Sequence, residues 1–261
     1  MTVKSIERPP SETVCRRVSA IVGSLACLLS FMAATPAWAG RPLDTEDTAT
    51  LDPGRAELEL SLALAQDSGD RAWAGAVALN AGVAPSLELG VELPGAYLQR
   101  EGIADQAGVG DLVLVLKHRV LGETEWRPAL LANLRVRLPT GDADRGLGAD
   151  GVDVLARLAV SKTFASLTLT LNGGYVFVTA DRARDAWLVS GAGEYRVSPA
   201  WTVVAEVASV LGARAAADVA VARGGVVYAL TSAIRFDMAV GTGLTRTSPG
   251  LLATAGITIG F

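Results

Sequence analysis

Apolar and polar residues alternate one by one through most of this chain. RAELELSLALA, residues 55–65, places Leu58, Leu60, Leu62 and Leu64 on one face of an extended strand and Glu57, Glu59 and Ser61 on the other. SLELGVELPG sets Leu87, Leu89, Val91 and Leu93 against Glu88 and Glu92, and SLTLTLNGGYVFV sets Leu167, Leu169, Leu171, Tyr175 and Phe177 against Thr168, Thr170 and Asn172. The C-terminal ATAGITIGF sorts Phe261, Ile259, Ile257, Ala255 and Ala253 from Gly260, Thr258, Gly256 and Thr254. The period predicts twelve strands, at 55–66, 72–83, 86–95, 110–121, 127–138, 151–162, 166–179, 186–197, 201–211, 219–230, 234–244 and 251–261. The alanine-rich stretch 205–224 has helical propensity but is read as strand, short loop, strand. Short turns, such as APS, SKTFAS, VSPA and LTSA, alternate with longer linkers, PGAYLQREGIADQAGVG, PTGDADRGLGADG and TADRARDA.

Charge sharpens the pattern. Wherever a segment holds two or more charges they share one parity, apart from Lys162 at the very end of its segment: Glu57/Glu59, Glu88/Glu92, Asp111/Lys117/Arg119, Arg135/Arg137, Asp153/Arg157, Glu194/Arg196 and Arg235/Asp237. Eight independent agreements of this kind arise by chance roughly once in 250 trials for a period of two. Trp73, Trp187 and Phe177 fall at one end of the strands, and Trp201, Tyr195, Tyr228 and Phe164 at the other, as two interfacial belts would require. Short turns at one end, long loops at the other and a lipid-fit outer face predict an all-β, up-and-down transmembrane barrel of about twelve antiparallel strands. Lipid cannot pair backbone groups, so the sheet has to close, with Phe261 at the end of the closing strand beside Leu58.

The first residues place this barrel in a compartment. Lys4, Arg8, Arg16 and Arg17 precede the apolar run Val18–Ala34, and Ala37-Trp38-Ala39 is a small-x-small cleavage signature. Residues 1–39 thus read as a secretory signal peptide, 40–54 as a periplasmic N-terminal segment and 55–261 as an outer-membrane barrel. With four of the 23 Lys/Arg and two of the 27 Asp/Glu in the leader, the remaining 222 residues hold 19 basic and 25 acidic residues. Both cysteines, Cys15 and Cys27, leave with the leader, so thiol chemistry is excluded from the exported chain. A mildly acidic chain without a basic run gives no reason to expect nucleic acid.

The inward parity collects Glu57, Glu59, Glu88, Glu92, Asp111, Asp153, Glu194, Glu206 and Asp237 with Lys117, Arg119, Arg135, Arg137, Arg157, Arg196, Arg223 and Arg235. These are the candidate lumen-lining residues. They can form an ion-pair network or line opposite walls of a wet channel. His118, the sole histidine, shares the parity of Leu114 and Leu116 and so belongs to the lipid face rather than to a catalytic pair. The glycines of GVGD and GLGADG supply turn dihedrals, with no phosphate-loop lysine after them. No enzyme activity, cofactor or metal site is expected.

The opening GRPLDTEDTATLDPGRAELEL (40–60), GVGDLVLVLKHRVL (108–121), RVRLPTGDADRGLGADG (135–151), LNGGYVF (171–177) and the terminal Phe261 resemble, in that order, a family of proteobacterial outer-membrane proteins grouped as transporters of the meta-pathway of phenol degradation. The resemblance implies an outer-membrane barrel taking up small, often aromatic, compounds. Similarity to other barrels also implies that Phe261 is an assembly signal read by the barrel assembly machinery. The expected partners are outer-membrane lipid, that machinery and a small solute. The alternative is a non-conducting structural barrel with an ion-paired lumen.

Overall fold

The computed structural model describes residues 41–67, 69–212 and 218–261, so the expected signal peptide lies outside the described residues. Its strands are β1 (Ala56–Asp67), β2 (Asp70–Ala84), β3 (Leu87–Arg100), β4 (Ile103–Val109), β5 (Val113–Leu121), β6 (Ala129–Arg137), β7 (Asp153–Phe164), β8 (Leu167–Val178), β9 (Ala186–Arg196), β10 (Trp201–Gly212), β11 (Val219–Ala229), β12 (Ile234–Gly243) and β13 (Leu251–Gly260). Neighbours pair antiparallel throughout, and β1 pairs with β2 on one edge and β13 on the other, so the sheet closes. Leu58 faces Ile259, and Ala56 and Phe261 exchange both backbone hydrogen bonds at 2.9 Å. Closure pairs both edges of the staves that cross the apolar band, while β4, at the loop end, pairs with β3 alone.

The barrel has twelve staves because β4 and β5 share one. β3 pairs with β5 over Leu87–Glu92 and with β4 over Gly95–Arg100. The stretch 94–110, expected to be a linker, is therefore mostly strand. Its Pro-Gly pair reads as a turn in sequence, but Pro94 stands where β3 changes partner. The Pro94 carbonyl accepts from Gly110 N at 2.8 Å, so its missing N–H faces the same break in the ladder and costs no strand pairing. β10 and β11 confirm two strands within 205–224. The Ala165-Ser166 hairpin takes Ala165 to φ 54°, as tight turns between right-twisted strands demand.

Side chains divide as the alternation requires. Leu60, Leu62, Val77, Leu79, Leu89, Leu93, Leu114, Leu158, Leu169, Val207 and Met238 are exposed on the outside, with Leu171 at 67% the barest within a strand. Trp73, Trp187 and Phe177 form one outer belt at the loop end, where Tyr175 packs edge-on to Trp187 at 4.7 Å. Trp201, Tyr195 and Phe164 form the other at the turn end, with Trp201 and Tyr228 at 4.6 Å. These belts and the apolar band between them suit a bilayer.

Candidate functional site in the lumen

The inner wall is crossed by ion pairs, most of them between adjacent or next-adjacent staves. Glu88 and Lys117 oppose each other directly in the β3–β5 ladder and lie 3.4 Å apart. Arg137 opposes and pairs with Asp153, and it also reaches Asp111 at 3.8 Å. Arg223 opposes Glu206, at 3.4 Å. Arg135 reaches past β5 to Glu92 at 2.8 Å, and Arg235 reaches past β13 to Glu57 at 3.2 Å. Glu59 accepts from Asn80 at 2.8 Å. The predicted charges thus form a network among neighbours rather than two opposed walls. Arg119, Glu194 and Arg196 stand apart from it, toward the turn-end rim, and Arg196 is exposed. His118 is exposed on the outer face, with Nδ1 3.2 Å from the Ser86 carbonyl.

The largest departure from the sequence reading concerns the segment 40–54, expected in the periplasm. From Arg41 onward it lies inside the barrel. Its contacts reach staves on every side. Arg41 pairs with Asp237 of β12 at 2.8 Å, and the Pro42 carbonyl accepts from Thr254 of β13. The backbone N–H groups of Asp44 and Thr45 donate to the Glu206 carboxylate of β10 at 2.9–3.0 Å, and the Thr45 hydroxyl donates to it at 2.8 Å. Asp44 pairs with Arg223 of β11. Asn172 of β8 accepts from Glu46 N at 2.7 Å and donates to Glu46 O at 2.8 Å, replacing a missing strand neighbour. The Glu46 carboxylate, wholly buried, meets Lys117 at 2.9 Å and Arg157 at 4.0 Å. Leu51 N donates to Glu88 at 2.8 Å.

The wall is shaped for this segment. A β-carbon at Gly82 would collide with the Asp52 carbonyl, and one at Gly256 with the Arg41 guanidinium. Leu43 fills a patch made by Ala192 and Val204. Burial opposes the charge on Glu46, but Lys117 and Arg157 more than offset it and hold its carboxyl below the usual carboxylate range. Asp47 differs. Burial, with Glu46 and Glu194 nearby, pushes its carboxyl up to about 7 although Lys117 pulls the other way.

A second closure stands at the loop end. The connection between β6 and β7 turns inward and buries Leu147, 3% exposed, against Ala65, Ala72, Leu98, Val221 and Leu252. Asp111, at the break between β4 and β5, holds this connection by accepting from Gly141 N at 2.8 Å and Ala149 N at 2.7 Å.

Sequence reasoning missed Arg41, Asp44, Glu46, Asn172, Ser190 and Leu147. Asn172 and Ser190 share the inward parity, so uncharged polar residues of that parity could have been added. Nothing in a segment without periodicity marks Glu46 as a lumen residue.

The model of the family described as "Putative MetA-pathway of phenol degradation" matches residues 39–261. Among solved structures, an outer-membrane channel from Pseudomonas putida F1 is similar at 18% identity and a TM-score of 0.70, covering 84% of this chain and all 100% of that one. The KdgM porin is similar at 10% identity and a TM-score of 0.58, covering 78% of this chain and 99% of its own. For the NanC porin the values are 9%, 0.53, 78% and 98%. No curated protein matches the chain. At such identities the likeness is one of fold, that of a closed outer-membrane barrel.

Proposed function

This chain belongs to the MetA-pathway phenol-degradation family, and we propose that it is a passive outer-membrane channel for small organic solutes, closed in this state by its own N-terminal segment. The observation that supports this is how the segment is held. Residues 41–51 enter no β-ladder and meet the wall largely through side-chain hydrogen bonds and ion pairs. Such contacts exchange readily with water, whereas a ladder does not. A segment as wide as a peptide chain leaves a peptide-wide passage when it moves. The wall then presents Glu59, Glu88, Lys117, Arg157, Glu206 and Asp237 to the solute as a hydrated, charged lining.

The lipid-facing band carries no chemistry, and the reading is non-catalytic. Residues 1–39 serve as the export signal. Phe261 is exposed on the closing strand at 60%, its backbone paired to Ala56, and serves as the signal for assembly into the membrane.

Planar-bilayer conductance tests the reading. The mature chain is compared with a variant lacking residues 41–51 and carrying Leu147→Ser, its fold checked by circular dichroism. Conductance in the variant is expected. A folded variant that stays silent sinks the channel and leaves the structural barrel with an ion-paired lumen.

A further inference from the structure

The inner wall changes character near its loop end. Below it, the lining is dominated by carboxylate, guanidinium, amide and hydroxyl, from Glu59 and Asn80 to Glu206 and Asp237, with single apolar residues such as Val115, Leu131 and Val204 between them. At the loop end Ala65, Ala72, Leu98, Val221 and Leu252 point inward and form an apolar collar. Lipid does not explain these residues. They have the parity of the lumen, opposite to that of outward Leu64, Trp73 and Tyr97. An inner wall that faces water has no need of them either.

Among the described residues, the member of this cluster that comes from outside the strands is Leu147. Leu147 belongs to the β6–β7 connection, while most of the collar belongs to β13, β1, β2 and β3. Its loop is braced independently of the collar. Arg145 donates to Gln106 at 2.8 Å, Leu147 N donates to the Asp142 carbonyl at 2.9 Å, and Gly146 takes φ +71° in the turn that projects the leucine. Glycines clear the way for it: a β-carbon at Gly108 would stand 2.9 Å from Leu147 Cδ1. The leucine is thus an apolar tooth carried on a polar, self-braced loop.

We propose that this collar is a capture site for a small, neutral, apolar solute, and that Leu147 occupies it in the solute's absence. The proposal rests on the channel reading above and names its outer selectivity step. A solute that seats in the collar has to displace Leu147. Displacement bares the apolar wall and the leucine together. A hydrocarbon ring or short chain covers that wall again and so favours the displaced loop. A polar solute leaves it wet and does not. Selection for apolar solutes therefore follows from differential stabilisation of one loop position, while the charged lumen beyond it stays non-selective toward them.

The exported chain has no cysteine, so one introduced thiol reports one site. Leu147→Cys, as full mature protein in lipid vesicles, is labelled with a water-soluble methanethiosulfonate with and without toluene, and separately with glycerol. Ser190→Cys, buried deeper in the lumen beside Thr45, controls for general loosening of the barrel. Toluene is expected to raise the labelling rate of the Leu147→Cys protein at least about tenfold, equivalent to ~1.4 kcal/mol in the loop equilibrium. Glycerol should be inert, and the Ser190→Cys rate should not move. Ala72→Phe, added to Leu147→Cys, fills the collar from the wall; labelling is then fast without toluene and gains nothing from it. An unchanged rate with toluene, an equal effect of glycerol or an equal acceleration in the Ser190→Cys protein overturns the site. Conductance separates this from the channel reading. Labelling that responds to toluene, together with silence of the folded variant lacking residues 41–51 and carrying Leu147→Ser, keeps the site and discards the channel. Conductance without a toluene response does the reverse.

Discussion

The two closures of this lumen use opposite chemistry. At the turn end a segment of chain is threaded among buried charges, and nearly every contact is a hydrogen bond or an ion pair, from Arg41–Asp237 to Leu51–Glu88. At the loop end one leucine sits in a collar of alanine, valine and leucine. Buried charge is intolerant of partial removal, because the partner left behind is desolvated and unpaired. Apolar contact is graded, falling with the area lost. The first closure thus gives a barrel that holds or releases its plug as a unit. The second gives a lid that a suitable molecule can replace.

The comparison breaks first on conductance. The closures lie in series, so opening either alone leaves the other resistance in place. Deleting residues 41–51 or introducing Leu147→Ser is expected to change single-channel conductance little, and the two together far more than the sum of their separate effects. A full opening by the deletion alone would show that Leu147 closes nothing.

Stability gives the next largest contrast. Lys117 is buried between Glu46 and Glu88. Lys117→Met removes the nearest cation from both buried carboxylates, leaving Glu46 to Arg157 and Glu88 to Leu51 N, and should cost about 3–5 kcal/mol in urea refolding with lipid vesicles. If release of the segment relieves that cost, the loss appears instead as protease sensitivity before residue 52 with the barrel intact. A variant that is neither destabilised nor cleaved would show that the ion pairs are solvated.

Both closures presuppose that the two faces of each strand are assigned correctly, and adjacent residues of β1 test this. Leu60 is exposed on the outer band, and Glu59 is buried inside with Asn80. Leu60→Arg meets lipid and should cost roughly 2–4 kcal/mol. Glu59→Gln keeps a partner for Asn80 and should refold within ~1 kcal/mol of the parent. Equal losses from both would reverse the faces.

Most of the barrel was legible because a period of two is written into every stave. Where lipid lies on one face and charge on the other, a misplaced register exposes itself, as Glu57/Glu59 against Leu58/Leu60 shows. The fourth stave was harder, since Pro94-Gly95 carries a turn signal that only the break at 110–112 neutralises. The lumen's occupant was illegible for a different reason. An irregular segment has no period, and its partners, Lys117, Asn172, Glu206 and Asp237, are scattered across 120 positions of sequence and meet only when the sheet closes. Leu147 was hidden likewise, as one apolar residue in a run of glycine and aspartate that reads as solvent-exposed loop.

The smallest expected effect is a dependence on pH confined to the turn end. Asp47 titrates at about 7 inside the lumen, well above the usual carboxylate range, because burial and the neighbouring Glu46 and Glu194 outweigh Lys117. A carboxyl whose pKa is raised on folding favours the seated segment in its neutral form. Its contribution is fully present below the unfolded value near 4, declines as pH rises, and is spent once pH passes about 7. Glu46 works in the opposite sense, but its lowered pKa moves that loss to acid, below the usual carboxylate range. Between pH 5 and pH 8, then, raising pH should loosen the segment through Asp47, and Asp47→Asn should remove that part of the change. The loop-end collar holds no titratable group among Ala65, Ala72, Leu98, Val221, Leu252 and Leu147, so labelling of the Leu147→Cys protein, corrected for thiolate fraction, should stay flat over the same range. The measurement is the difference between parent and Asp47→Asn in protease cleavage before residue 52 across that range, which subtracts every other titrating group in the lumen. Parallel pH profiles for the two proteins would show that Asp47 is hydrated and takes no part in holding the segment.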